Sequence, residues 1–287
     1  MRARVRRPCR TVLYLPAAHP RAVEKARGLD VDAVILDLED AVAPELKAEA
    51  RAAAVAAAVA GGFRGRLGVR VNGADTPWGA DDLAAVAAAP IAFVVAPKIS
   101  GPADIAPIAA RLGTDQALWA MIETPAALLA LPQIAAAGLP LEALMLGTND
   151  LALALGTGPS PDREPFKPWL ATLVAAARAH GLLAIDGVFN RLDDADGLAA
   201  EARQGRLHGF DGKSLIHPSQ IAPVRAAFAP TAAELAWAEA VVTAFAAPEA
   251  AGRGAVRAAG GMVERLHLAQ AEALLAEAAR AADAGAA

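Results

Sequence analysis

Two carboxylates offer the first chemistry in this chain. They sit in similar segments, ALWAMIET and EALMLGTND, which an alanine-rich helical stretch separates. Each segment is a short apolar run that ends on an acid, Glu123 in the first and Asp150 in the second. Such a run, closed by turn signals, reads as a strand buried on both faces. Two acids at the C-terminal ends of neighbouring parallel strands point into one pocket, a setting that suits a hard divalent cation such as Mg²⁺. A purely structural alternative exists, because Glu123-Thr124-Pro125 and Asn149-Asp150 both precede helical stretches whose free N–H groups an acid satisfies.

Other apolar runs also end on charge. Asp37, Glu39 and Asp40 follow one, Arg70 and Asn72 close another, and Lys98, Asp186, Lys213 and His217 close three more. Charges embedded in apolar strands are costly unless paired. A mouth of mixed charge with excess acid suits a cation together with an anionic substrate. Physical need then assigns roles. Glu123 and Asp150 serve as metal ligands, and Glu39 orients metal-bound water with Asp37 and Asp40 behind it. Arg70 presents a planar fork to a substrate carboxylate, with Lys98 as a further substrate contact. A 2-oxo acid chelating the metal through carboxylate and keto oxygens would have charge on that oxygen stabilised as a C–C bond breaks or forms. On this reading Arg70 and Asp37 are catalytic candidates. The plain alternatives are that Lys98 pairs with Asp37 and that His217, before Pro218, is a turn residue.

These residues need elements to hold them. Strand-like runs recur at Val12–Pro16, Ala33–Leu38, Leu67–Val71, Phe93–Ile99, Leu118–Ile122, Ala143–Gly147, Leu182–Val188 and Phe210–His217, with helical stretches between them. One such helix is expected over Pro125–Ala137 and another after Asp150. Strands alternating with helices imply parallel pairing through right-handed crossovers, and eight such units match a closed (β/α)₈ barrel. A dinucleotide-binding sheet is rejected: Gly61, Gly62, Gly65 and Gly68 lack the spacing and precede a strand. A phosphate loop ending in Gly212-Lys213-Ser214 fails because Leu207 stands where its first glycine belongs. The Pro/Gly-rich excursion Leu155–Pro168 is long enough to be a lid or an oligomer contact that shapes the pocket. A tail (230–287) after the barrel (1–229) reads as a helix, a Gly/Arg-rich linker and a final helix from about Glu264. It is expected to lack a core of its own and to pack on the barrel or on a neighbouring subunit.

The totals are compatible. A chain of 287 residues buries a large core. A net charge of −4 gives no sign of a nucleic-acid surface, and Arg2, Arg4, Arg6, Arg7 and Arg10 read as a solvated leader. A single cysteine, Cys9, fits a reducing cytoplasmic setting. No apolar stretch is long enough for a membrane span, and VLYLPAA is too short for a signal-peptide core.

The motifs RTVLYLPA (10–17), DAVILDLEDAV (32–42), VRVN (69–72), APKI (96–99), IETP (122–125), GTNDLA (147–152), AIDGV (184–188) and GFDGKSLIHPSQI (209–221) together resemble the citrate lyase β-subunit family. That HpcH/HpaI aldolase/citrate lyase superfamily also holds malyl-CoA and citramalyl-CoA lyases. The resemblance implies a (β/α)₈ barrel, commonly a homotrimer or hexamer, that binds Mg²⁺. It implies Glu123 and Asp150 as metal ligands and Arg70 as the substrate-carboxylate arginine. The implied reaction cleaves a 3-hydroxyacyl-CoA into an acyl-CoA and a 2-oxo acid. A CoA-independent 2-oxo acid aldolase and a non-catalytic oxo-acid-binding subunit are the alternatives.

One motif departs. In malyl- and citramalyl-CoA lyases the final helix begins G-x-M-I-D, and that Asp is the general base in a neighbouring subunit's site. Here Gly260-Gly261-Met262-Val263-Glu264 puts Glu264 in its place. Glutamate keeps the carboxylate one methylene further out, and a misplacement of about 1 Å can lower a rate by about 10²-fold. The alternative for Glu264 is a helix-end acid favoured by the dipole.

Overall fold

A computed structural model describes residues 9–160, 162–247 and 250–286. Arg2, Arg4, Arg6 and Arg7 lie outside them. The chain forms two compact units, one ending at Phe228 and one beginning at Ala229.

In the first unit the expected alternation is present. Strands β1 (Thr11–Pro16), β2 (Ala33–Asp37), β3 (Arg66–Arg70), β4 (Phe93–Ala96), β5 (Ala117–Ile122), β6 (Leu141–Leu146), β7 (Leu183–Asp186) and β8 (Gly212–Leu215) pair in parallel in sequence order. β8 then pairs with β1, Lys213 opposite Thr11, and closes the (β/α)₈ barrel. Side chains alternate between the two faces of a strand. Val12, Ile35, Val95, Trp119, Met145 and Ile185 therefore fill the interior. Leu13, Leu36, Val94, Leu118, Leu144 and Ala184 pack outward with helix residues such as Ala50, Ala54 and Leu170. Phe93 stacks on Trp119 with centroids 3.9 Å apart. Gly68 makes room for that ring, since a Cβ there would come within 2.2 Å of it.

The helices differ from expectation in detail. The stretch expected as one helix over Pro125–Ala137 is two, Pro125–Leu129 and Leu131–Ala135. Pro132 has no N–H to donate back to the preceding turn, so the run breaks there. The helix expected after Asp150 starts earlier and spans Thr148–Leu155.

The second unit has a helix (Ala232–Ala246), whose Thr231 and Glu234 form a reciprocal cap at its start. An antiparallel hairpin follows, β9 (Ala255–Ala258) and β10 (Gly261–Glu264), and then a helix, Arg265–Ala286. The turn residues Ala259 and Gly260 take positive φ of 49° and 80°, as two-residue hairpin turns of this hand require. This tail was expected to have no core. It encloses a small one, in which Ala238, Val241, Val263 and Ala271 are buried. The hairpin supplies an apolar face that two helices alone lack. No helix among the described residues is long and apolar enough to cross a membrane.

Candidate active site

Glu123 is the first residue past β5 and is only 1% exposed. It does not cap the next helix; the Thr124 hydroxyl does, accepting the Ala127 N–H at 3.0 Å. The Lys98 backbone N–H donates to Glu123 Oε1 at 2.7 Å. The other oxygen, Oε2, is buried without a hydrogen-bond partner. Burial pushes the carboxyl up from the ordinary range, against the lowering effect of the Lys98 N–H and ammonium. Gly147 lies so close that a Cβ there would sit 2.4 Å from Glu123 Cβ and 2.6 Å from Oε2. Any side chain at 147 would fill this space.

Asp150 is not a strand-end residue. β6 stops at Leu146, and Asp150 is the third residue of the helix Thr148–Leu155. A carboxylate in a first helical turn is favoured by the unpaired N–H groups and the dipole there. The Lys98 ammonium hydrogen-bonds Asp150 Oδ1 and stands 3.7 Å from Glu123 Oε1. It therefore pairs with these two acids and not with Asp37 as supposed. Burial works to lower the Lys98 pKa, but the bond to Asp150 and the charge of Glu123 outweigh it and raise the value.

Arg70 forms the second half of the site. Its Nε and Nη2 donate to the two oxygens of Asp37 at 2.7 and 2.6 Å. That pairing takes the side edge of the guanidinium and leaves the Nη1/Nη2 end as the fork for a ligand carboxylate. Glu39 Oε2 lies 2.9 Å from Nη1 without the alignment of a hydrogen bond. Burial pushes Glu39 up to about 8, although Arg70 pulls the other way. Asp40 Oδ2 stands 3.5 Å from Nη1, and the Tyr14 ring lies under the guanidinium at 5.0 Å. Sequence reading missed Lys47. Its buried ammonium donates to the carbonyls of Leu38 and Glu39 at 2.8 and 2.7 Å and to Asn72 Oδ1 at 2.7 Å. It thereby fixes the turn that presents Glu39 and Asp40 to Arg70.

Asp37, Asp40, Arg70, Glu123 and Asp150 line one cavity of ≈ 350 Å³, together with Tyr14, Met121 and Asn190 among others. Its donor set suits a hard cation. Two carboxylates converge on one positive charge, and one buried oxygen beside them has no donor. No three His, Cys, Asp or Glu side chains form a preassembled cluster among the described residues. Mg²⁺ does not require one, since it commonly takes one or two carboxylates and keeps water in its other positions.

The profile of the HpcH/HpaI aldolase/citrate lyase family matches residues 10–218. The chain belongs to that family. Within it, a (3S)-malyl-CoA thioesterase of Cereibacter sphaeroides is 46% identical over 94% of this chain and 95% of its own. An L-malyl-CoA/beta-methylmalyl-CoA lyase of the same organism is 33% identical over 95% of both chains. Among solved structures, CitE of Mycobacterium tuberculosis in complex with magnesium, acetoacetate and coenzyme A superposes with a TM-score of 0.81, at 35% identity over 94% of this chain and 98% of that one.

Asp186 and Lys213, also expected at the mouth of this HpcH/HpaI barrel, lie elsewhere. β7 turns Leu183 and Ile185 inward, so Asp186 points out into the helix layer. It is fully buried there, as is Lys213 of β8, which donates to Asp186, Glu201 and the Gly187 carbonyl at 3.2, 2.7 and 2.5 Å. Burial would raise the Asp186 pKa, yet Lys213 and Arg163 bring it below the ordinary value. Arg163 comes from the 155–168 excursion. It donates to Asp186 at 2.7 Å and to Gln204 at 2.8 Å. The described residues of the excursion are thus pinned to the helix layer and do not line the cavity. His217 is exposed and bonds Ser219, as a turn residue does. Glu264 closes β10 in the second unit with its side chain exposed, and its N–H donates to His267 Nδ1 at 2.9 Å.

Proposed function

We propose that the chain is a Mg²⁺-dependent enzyme acting on 3-hydroxyacyl-CoA thioesters of the malyl-CoA class. The observation that carries this is Glu123. Its buried Oε2 has no donor, while a positive charge already spans its Oε1 and Asp150. Glu123 and Asp150 would hold the cation, and Arg70 would take the carboxylate of the acyl group on its Nη1/Nη2 end, displacing Glu39 and Asp40 from Nη1. When bound, the metal supplies Lewis-acid stabilisation of the hydroxyl or keto oxygen next to that carboxylate. Asp37 fixes the plane of Arg70. Glu39, pushed up to about 8, carries a proton near neutrality beside Arg70 Nη1.

Two fates of this substrate are open to the same cradle. Hydrolysis adds water to the thioester: oxygen goes to the acyl carbon, the C–S bond breaks, and the thiol takes the remaining proton. We rank it first, because relatives 46% identical are named thioesterases and those named lyases are 33% identical. The second reading is C–C lysis. A base takes the 3-hydroxyl proton, the C2–C3 bond breaks, and the acyl-CoA carbanion is reprotonated while a 2-oxo acid leaves. The oxo-acid cradle at Arg70 supports it, and Glu264, which stands at the place of the aspartate in the lyases' G-x-M-I-D motif, is the candidate base for a neighbouring subunit's site.

One assay separates them. The full chain is incubated with Mg²⁺ and (3S)-malyl-CoA or citramalyl-CoA, and free thiol and 2-oxo acid are followed in parallel. Thiol without oxo acid is expected; oxo acid without thiol assigns the lyase. Turnover of neither thioester sinks the proposal, and cleavage of free 4-hydroxy-2-oxo acids would then assign the CoA-independent aldolase.

A further inference from the structure

We infer that Lys98 is a tethered cation that fills the gap between Glu123 and Asp150 in the metal-free protein and withdraws when a divalent cation enters. The inference rests on the reading that these two carboxylates bind that cation. The backbone aims the side chain. Lys98 has φ of 54°, a left-handed conformation that a residue with a Cβ adopts only when its surroundings impose it. The imposing contact is its own N–H, held on Glu123 Oε1 at 2.7 Å. One residue thus grips the first acid through its backbone and the second through its ammonium.

The balance of charge leaves room for more. Asp37 is satisfied by both nitrogens of the Arg70 side edge. Among the described residues Lys98 is the one cation in an ion pair with Glu123 and Asp150, two carboxylates against one ammonium. The deficit is visible in Glu123 Oε2, which has no donor. A divalent cation supplies both charges and can use the vacant lone pairs.

The exit is also built in. The Lys98 side chain is 37% exposed, whereas that of Glu123 is wholly buried. On metal entry the acids stay and the ammonium, at the end of a flexible stem, moves to water. Its charge is then unspent near the mouth of the cavity that Asp150 lines, where an anionic substrate must pass. Metal followed by anionic substrate becomes the favoured order. Lys98 is in this sense a positioning residue that sets metal affinity.

The test uses the full chain, stripped with a chelator, as wild type, Lys98→Met and Lys98→Gln. Calorimetric titration with Mg²⁺ and with Mn²⁺ is expected to show about fivefold or tighter binding in both variants, because the competing ammonium is gone. In wild type, reductive methylation of the Lys98 amine, read by mass spectrometry, is expected to speed up when Mg²⁺ is added. If wild type binds neither metal, the metal reading itself fails. If wild type binds and both variants bind equally or more weakly, the competition is refuted. Tighter binding in the variants with unchanged Lys98 labelling also overturns displacement, since loss of one positive charge alone would explain it. Should both variants fail to fold, the labelling experiment on wild type decides.

Discussion

Asp37 holds Arg70 with both carboxylate oxygens, Oδ1 on Nε at 2.7 Å and Oδ2 on Nη2 at 2.6 Å. The pair fixes the plane in which the remaining end of the guanidinium can meet a carboxylate. Lysine cannot reproduce two parallel N–H donors. Arg70→Lys is therefore expected to lower kcat/KM by about 10²-fold, with affinity for a 2-oxo acid falling in step. Steady-state kinetics with pyruvate or glyoxylate binding by calorimetry checks it. Unchanged affinity would detach Arg70 from the acid end of the substrate.

Glu123→Gln and Asp150→Asn each remove one charge from the proposed cation site while nearly preserving shape. Mg²⁺ affinity is expected to fall by about 10-fold to 100-fold in either variant, the range seen when metal-site contacts are removed. Gly147→Ala should do the same by a different route, because its methyl would press on Glu123 Oε2. Equal Mg²⁺ affinity in all three proteins would refute the site.

Glu39 makes the metal-free protein sensitive to pH. Its folded value is raised from 4.5 to about 8, chiefly by burial. Between those limits the folded state binds more protons than the unfolded one, so stability is full below the lower value and falls as pH rises through the window. Thermal melts in chelator from pH 5 to pH 8 should show this decline, and Glu39→Gln should flatten it. An unaltered slope in the variant would assign the decline to other groups.

Arg163 ties the 155–168 excursion to Asp186, Glu201 and Gln204. Arg163→Met leaves Asp186 and Lys213 buried beside an unbalanced carboxylate. The loss expected from breaking such a buried network is about 3–5 kcal/mol. Because the described residues of this excursion do not line the cavity, KM should hold while the melting midpoint drops. A changed KM at unchanged stability would mean that the excursion reaches substrate after all.

Glu264→Gln tests the base proposed from the motif resemblance to the lyases. If the net reaction is C–C lysis, the variant should lose rate by at least about 10²-fold while metal affinity is retained. If the net reaction is hydrolysis through groups in the barrel, thiol release should survive the substitution.

Much of this was legible in the residues. The strands were readable because parallel strands buried on both faces are continuous apolar runs, and the terminal acids marked their mouth. What failed was parity. Asp186 ends β7 as plainly as Arg70 ends β3, and Lys213 lies within β8, but each is one position off the inward register and so turns to the helix layer. Counting back in twos from the end of β7 would have shown this. Asp150 was located by type and misplaced by element, because GTND reads as a strand end and folds as a helix start. Lys47 left no local trace, since its partners at 38, 39 and 72 come together only when β2 and β3 pair. The core of the tail was missed for a related reason, as was the anchoring of the excursion. Arg163 and the β9–β10 hairpin act through partners that composition does not reveal.

The outward pair has one more effect. Arg163 and Lys213 face Asp186 and Glu201 within a single buried group, two positive charges against two negative. Seen from the cavity, that group is electrically silent. The potential at the mouth is then set by its own residues, four carboxylates (Asp37, Asp40, Glu123, Asp150) against Arg70 and Lys98, with Glu39 protonated near neutrality. An uncancelled negative field in a walled opening gathers cations from solution before any contact is made. The helix layer can therefore vary its charges in matched pairs without retuning what the barrel attracts.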